Sequence, residues 1–204
     1  PGYEPGLNDI VVGSVDPGLV NETGGLLMAW KQDNTCIVFK EYYQKGFLAE
    51  FNAENLAAMG KPYNVKYWVI DRASCKRDPR DGGTVFDAYK QYLRPLLPAP
   101  NDPGTVLFAV NEVKKLLQPD AVTKKPRMYF TNELTNLVYE VEHYTRYKPG
   151  GGEGYQNPPE KFRKYKDHLI DCLKNVILTK PWLRFGMDVT DLHAKQRRSK
   201  LTGY

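Results

Sequence analysis

"DIVVGSVDPG", residues 9 to 18, sets an apolar run against a single acid and then breaks the chain with Pro17 and Gly18. Ile10 to Val15 read as a strand covered on both faces, since a short, nearly uninterrupted apolar run bounded by turn residues suits that setting. Asp16 ends it, and a charge closing a buried strand calls for a partner. The residues downstream show what kind of sheet could supply one.

Two further strand-like runs, "GGLLMAWKQ" (24–32) and "TCIVFKEYYQ" (35–44), are joined by a turn at Asp33 and Asn34, so the first three strands form an antiparallel meander. "KGFLAEFNAENLAAMGK" (45–61) has Phe47, Leu48, Phe51, Leu56 and Ala57 at helical spacing and a stop at Gly60. A fourth strand, "VKYWVID" (65–71), follows this helical crossover and is therefore expected parallel to an earlier strand. Then come a helix in 83–93, a short edge strand in "RPLLPAP" (94–100), and three more helices. These are 102–117 with Asp102 as N-cap, 131–146 with Thr131 and Leu134 to Leu137 on its core side, and 159–177. "YKPGGGEGYQNPP" (147–159), between the last two, reads as a loop or hairpin tip. The expected class is α/β, a mixed five-stranded sheet flanked by helices.

The 204 residues suit one domain with a sizeable core, and 41% hydrophobic and 12% aromatic residues describe a globular chain. No apolar stretch approaches the roughly 20 residues of a membrane span. The opening "PGYEPG" lacks the regions of a signal peptide. The expectation is a soluble intracellular chain whose residues 1–8 are a linker remnant. Cys36, Cys75 and Cys172, odd in number and unrelated in spacing, fit neither a disulfide framework nor a zinc set and are expected as reduced thiols. The net charge of +5 divides unevenly, +7 over residues 161–204 and −2 over the first 160. A basic end of this kind suits a polyanion such as DNA through counterion release, and equally a solvated tail. There is no internal repeat and no G-x-x-x-x-G-K-[ST] phosphate loop.

If strands one and four are parallel neighbours, Asp16 and Asp71 emerge together at the carboxyl edge of the sheet, where open α/β sheets hold ligands. Taken singly, each also suits a turn. In "KYKDHLIDCLK" (164–174), Asp167, His168 and Asp171 share one helix side, opposite Phe162, Tyr165, Leu169, Leu173 and Val176. That side could equally be a solvent face with Lys164 and Asn175. However, like charges four apart cost a few tenths of a kcal/mol unless something neutralises them. Carboxylate oxygens with at most one His favour Mg²⁺ or Mn²⁺ over zinc, and a cation reverses the repulsion among gathered acids.

The Asp-Pro-Gly after strand one, the apolar strand ending Val-Ile-Asp and the late "DHLIDCLKNVI" together resemble the C-terminal nuclease domain of the large terminase subunit of tailed bacteriophages, from about residue 9 to 177. Cys172 stands where that family usually has Ala, and Asn175 where an aromatic often follows a basic residue. The resemblance implies a ribonuclease H-like fold with sheet order 3-2-1-4-5, strand 2 antiparallel, over residues 9–180, and a basic tail over 181–204. It implies a metal-dependent endonuclease that cuts concatemeric double-stranded viral DNA during genome packaging in the cytoplasm of the infected bacterial host. Asp16, Asp71 and Asp171 correspond to the acidic triad. Two ions, Mg²⁺ or Mn²⁺, are expected there, with Asp16 bridging both, Asp71 holding one and Asp171 the other. Asp167 is an accessory ligand candidate. His168 is a candidate to orient a water, accept a proton or coordinate a metal.

Candidates for the DNA track are Arg72, Lys76, Arg77 and Arg80 after Asp71, with Lys161, Arg163 and Lys164. The Gly-rich stretch 149–154 is a candidate gate. Implied partners are a terminase ATPase domain elsewhere on the parent chain, the portal protein, toward which "KPWLRF" and "KQRRSK" are the candidate segments, and the small terminase subunit. His143 and His193 have no carboxylate constellation and read as structural. Two competing readings are a non-catalytic DNA- or portal-docking module and a junction-resolvase-like nuclease of the same fold.

Overall fold

The computed structural model describes residues 2–18, 20–79, 82–100, 102, 104–144 and 166–181. Arg80, Lys161, Phe162, Arg163, Lys164, Tyr165, the 149–154 stretch, His193 and the 182–204 segment lie outside the described residues.

The first strand, β1 (Ile10–Asp16), pairs antiparallel with β2 (Glu22–Trp30), which pairs antiparallel with β3 (Cys36–Lys45). The β2–β3 turn closes as its residues require: Asn34 takes φ 64°, and Asp33 Oδ1 accepts a hydrogen bond from Thr35 N at 2.9 Å. Helix α1 (Ala49–Gly60) carries the chain over to β4 (Tyr67–Ile70), which lies parallel to β1. A short helix α2 (Val85–Lys90) leads to the edge strand β5 (Leu96–Pro98), parallel to β4. Helix α3 (Thr105–Leu117) precedes β6 (Met128–Phe130), which pairs parallel with β3. Helices α4 (Thr135–His143) and α5 (His168–Thr179) complete the described fold.

The sheet order is β5-β4-β1-β2-β3-β6. Five strands fall in the expected 3-2-1-4-5 order with only β2 reversed, and a sixth extends the sheet beyond β3. That strand escaped the sequence reading because "MYF" is three residues long with too little alternation to register as a strand.

Alternation along the strands feeds two cores. Val12, Leu26, Met28, Trp30, Tyr67 and Val69 pack on one face with Ala109, Leu169, Leu173 and Val176. Val11, Val15, Leu27, Trp68 and Ile70 pack on the other with Ala53, Leu56 and Tyr89. The central strands are thus buried on both sides, and α5 lies across β1, β2 and β4 on the first face.

Four helix readings are corrected. In α1 the buried positions are Asn52, Ala53, Leu56 and Gly60, while Phe47, Leu48 and Phe51 are exposed. A polar residue holds the inward face: Asn52 accepts from the Tyr42 hydroxyl at 2.7 Å and donates to Thr23 Oγ1 at 3.1 Å, which satisfies it where an apolar count looks elsewhere. Helix α3 is entered through Gly104 at φ 82°, and Asp102 contributes only its backbone carbonyl, to Thr105 N. Helix α4 begins after Leu134, with Leu137 and Glu140 as its buried residues, and Thr131 instead continues β6 by donating its N–H to Val38 O. Helix α5 begins only at His168, with Asp167 at the N-cap position.

Candidate active site

The register places Val15 beside Ile70, so Asp16 and Asp71 leave the sheet at adjacent carboxyl ends, with Asp71 N donating to Val15 O at 3.3 Å. The break after Asp16 is held from behind: Thr23 Oγ1 lies 3.1 Å from both the N–H and the carbonyl of Gly18. A Cβ on Gly18 would meet Glu22 O at 2.3 Å, so only glycine fits this loop.

Helix α5 brings the third acid. Its first turn packs on β2 where Gly24 pairs with Asp16, and a Cβ on Gly24 would stand 3.0 Å from His168 Cβ and 3.1 Å from its backbone carbon. His168 therefore reaches Asp16: Nδ1 donates to Asp16 Oδ2 at 2.8 Å, the direction an ionised carboxylate requires. Nε2 lies 3.8 Å from Glu22 Oε2. The acid that ends the buried strand thus meets an imidazole from a segment 152 residues away.

Burial pushes Asp16 up to about 6. The His168 hydrogen bond opposes this, and the neighbouring Asp171 and Asp71 carboxylates add to it. The three acids therefore lie within electrostatic reach of one another. The hydrogen bond to Asp16 raises His168 above its ordinary value despite partial burial.

Each acid nevertheless has a protein partner. Asp16 faces His168, Asp71 Oδ2 accepts from Ala73 N at 3.0 Å and caps the 3-10 turn Arg72–Cys75, and Asp171 is ion-paired with Lys174 one helical turn on. Among the described residues, no three His, Cys, Asp or Glu side chains are gathered into a ready-made metal cage. The donor set itself fits a hard divalent cation. It consists of carboxylate oxygens around a half-buried acid whose ionisation its like-charged neighbours oppose, a penalty that a cation removes. Asp167 is buried, and its backbone carbonyl accepts from Asp171 N. Arg72 opens the turn after Asp71, and Lys76 and Arg77 follow it. His143 donates to Tyr139 O and is stacked on the Tyr139 ring.

Sequence reasoning missed Glu140, Glu22 and Lys174. Glu140, 2% exposed on α4, accepts from Leu169 N at 2.8 Å and Ile170 N at 3.1 Å, capping α5 where no residue of the helix's own start does so. Burial pushes it up to about 7 against those two bonds. Glu41 on β3 does the same for α4, accepting from Asn136 N and Leu137 N. A relay of carboxylates thus runs from sheet to α4 to α5 to Asp16. The one local hint was the acid itself, since "VYEVEH" puts Glu140 between the apolar positions of its helix.

A mixed sheet of this order, with acids at the carboxyl ends of β1 and β4 and a late helix laid against them, has the fold of phage large terminase nuclease domains. Among solved structures the chain is similar to the P22 large terminase nuclease domain, at 13% identity and a TM-score of 0.65, over 89% of this chain and 86% of that one. It is similar to the large terminase nuclease of thermophilic phage G20c, at 13% identity and a TM-score of 0.55, over 85% and 83% of the two chains. Against the large terminase of another thermophilic bacteriophage it gives 17% identity and a TM-score of 0.63 over 87% of this chain, and spans 41% of that protein. At these identities the likeness is one of fold. Neither protein-family models nor curated proteins give a match.

Proposed function

We propose that the chain is a divalent-metal-dependent DNA endonuclease domain that cuts concatemeric viral DNA during genome packaging. The observation that carries this reading is the half-buried Asp16, ending the central strand with Asp71 and Asp171 within electrostatic reach. The fold shared with phage terminase nucleases supports it.

In this reading Asp16, Asp71 and Asp171 hold two Mg²⁺ or Mn²⁺ ions, with Asp167 in support. Bound there, the ions supply an activated water and charge stabilisation for the departing 3′ oxygen. His168 steers Asp16 through its Nδ1–H. Its Nε2 faces Glu22. Glu140 fixes the angle at which α5 presents His168 and Asp171. Arg72, Lys76 and Arg77 flank the Asp71 turn and are assigned to phosphates, as are Arg80, Lys161, Arg163 and Lys164. Binding is then largely independent of base sequence.

Residues 9–180 form the nuclease domain in this proposal, 1–8 a linker and 181–204 a basic tail directed at the portal protein. The ATPase domain sits elsewhere on the parent chain, the small terminase subunit is a further partner, and the site of action is the host cytoplasm. No helix among the described residues is long and apolar enough to cross a membrane.

A second reading, a DNA-docking module without catalysis, is favoured by the protein partners that all three acids already have. Plasmid digestion separates the two. The nuclease nicks or linearises supercoiled DNA with Mg²⁺ or Mn²⁺ and stops with EDTA. Salt-sensitive DNA binding indifferent to chelator, without cleavage, would establish the docking module instead. A marked preference for branched over linear duplex would move the assignment to a junction resolvase.

A further inference from the structure

Lys174 is an unusual neighbour for a site that is to gather cations. It lies on α5, three residues beyond Asp171, and is only 9% exposed. Lysine is almost never buried to this degree unless its ammonium is paired. Here the ammonium forms an ion pair with Asp171 Oδ1, donates to the Tyr144 hydroxyl at 3.4 Å and lies 5.6 Å above the Tyr144 ring. The surrounding surface of α5 is buried as well, with Ile170, Leu173, Asn175 and Ile177 all 9% exposed or less. The ammonium therefore has little room to swing into water. Asp16 and Asp71, by contrast, face an imidazole and a backbone N–H.

A unit positive charge held on one carboxylate opposes a divalent ion at that carboxylate, and in a partly buried site the opposition is much stronger than in water. Asp171 then has to share its oxygens or shed Lys174 before an ion can engage it. Resting on the reading of Asp16, Asp71 and Asp171 as metal ligands, we propose that Lys174 is a positioning residue acting through Asp171. It is a built-in counter-cation that neutralises this acid in the metal-free protein, holds its side chain in place, and makes the Asp171 ion the weaker of the two. The site fills stepwise, with the Asp16–Asp71 ion first and the Asp171 ion second.

The test is a Mn²⁺ titration by calorimetry and by the electron-spin signal of free Mn²⁺, with thermal midpoints recorded with and without Mn²⁺. Wild type, Lys174→Gln, Lys174→Arg and Asp171→Asn are compared. Wild type is expected to take one ion tightly and a second at least about tenfold more weakly. Lys174→Gln tightens the second ion by about tenfold or more and shows a larger Mn²⁺-induced rise in midpoint than wild type. Lys174→Arg, which keeps the charge, retains the wild-type order of affinities. Asp171→Asn, which leaves Lys174 untouched, loses the weak ion and keeps the tight one within about threefold.

Equal affinities and equal Mn²⁺-induced rises in wild type and Lys174→Gln would overturn the proposal and leave Lys174 a stabilising ion pair only. Loss of the tight ion in Asp171→Asn would overturn it too, even if Lys174→Gln failed to fold. Absence of Mn²⁺ binding in wild type and every variant would remove the metal-site reading itself, a result distinct from the other two.

Discussion

Asp16 is costly to the fold in the absence of a cation. Burial and two neighbouring carboxylates hold it at about 6. Asp16→Asn should therefore stabilise the metal-free protein by about 1–3 kcal/mol above pH 6 while reducing DNA cleavage to background. Thermal melts beside plasmid digestion check both halves, and a variant that is destabilised yet still cuts contradicts them. Glu140 has the same sign, with burial again the main cause. With its folded value at about 7 against an ordinary 4.5, the folded protein keeps a proton that the unfolded chain has lost. Stability therefore falls as pH rises from 4.5 to 7, by roughly 3 kcal/mol at most. Asp16, held above 3.8, and His168, raised above 6.5, tilt the profile the same way. Glu140→Gln should flatten the 4.5 to 7 part of the midpoint-against-pH curve, and an unchanged slope would assign the titration to other groups. Of these residues Asp16, Asp71, His168 and Asp171 were legible in the sequence, because an acid ending an apolar strand or sharing a helix side with another stands out against its surroundings. Glu140 and Lys174 were not, because their roles arise from what the fold packs against them.

The late helix is the element on which the site depends, and it is held at both ends. Glu140 caps its N-terminus, and near its C-terminus the Tyr67 and Thr179 hydroxyls lie 2.9 Å apart, linking it to β4. Gly24 lets its first turn approach the sheet. Gly24→Ala places a methyl group against the His168 backbone and should cost about 1–3 kcal/mol through overpacking. It should also lower cleavage more than a surface change of equal destabilisation, by moving His168 away from Asp16. Activity measured well below the variant's melting point tests this, and full activity there would show that the close approach is not needed. The helix's apolar stripe of Leu169, Leu173 and Val176 was readable from periodicity, whereas its start at His168 was not, because the capping carboxylate comes from another helix. In α1 the same periodicity misled, since Phe47, Leu48 and Phe51 lie outside and a hydrogen-bonded Asn52 lies inside. Phe47 and Phe51 instead stack on each other with ring centroids 4.6 Å apart.

Over the entire sheet, strand order does the positioning. Antiparallel β1–β2–β3 followed by a helical crossover puts β4 beside β1, so that two strands leading into Asp16 and Asp71 finish together with α5 laid across them. The meander and a fourth strand parallel to an earlier one could be read from the residues and the crossover rule, and the 3-2-1-4-5 order was implied by the family resemblance, whereas β6, three residues pairing with the far edge of β3, carried no sequence pattern of its own. For the DNA binding proposed here, the uneven charge predicts a salt-dependent affinity. Replacing Arg72, Lys76 and Arg77 together by Ala should weaken binding similarly across sequences and make the salt slope shallower by roughly one for each phosphate no longer neutralised, measured by fluorescence anisotropy over a salt series. An unchanged slope would place the phosphate track elsewhere. Whether the acids of β1, the β4 end and α5 share one cation pocket can be seen by diffraction from crystals soaked in Mn²⁺, with data collected at the manganese edge. Anomalous density among the carboxylates of Asp16, Asp71 and Asp171 is the expected outcome. Manganese bound elsewhere, with these three side chains still on His168, the Ala73 N–H and Lys174, would refute the shared pocket.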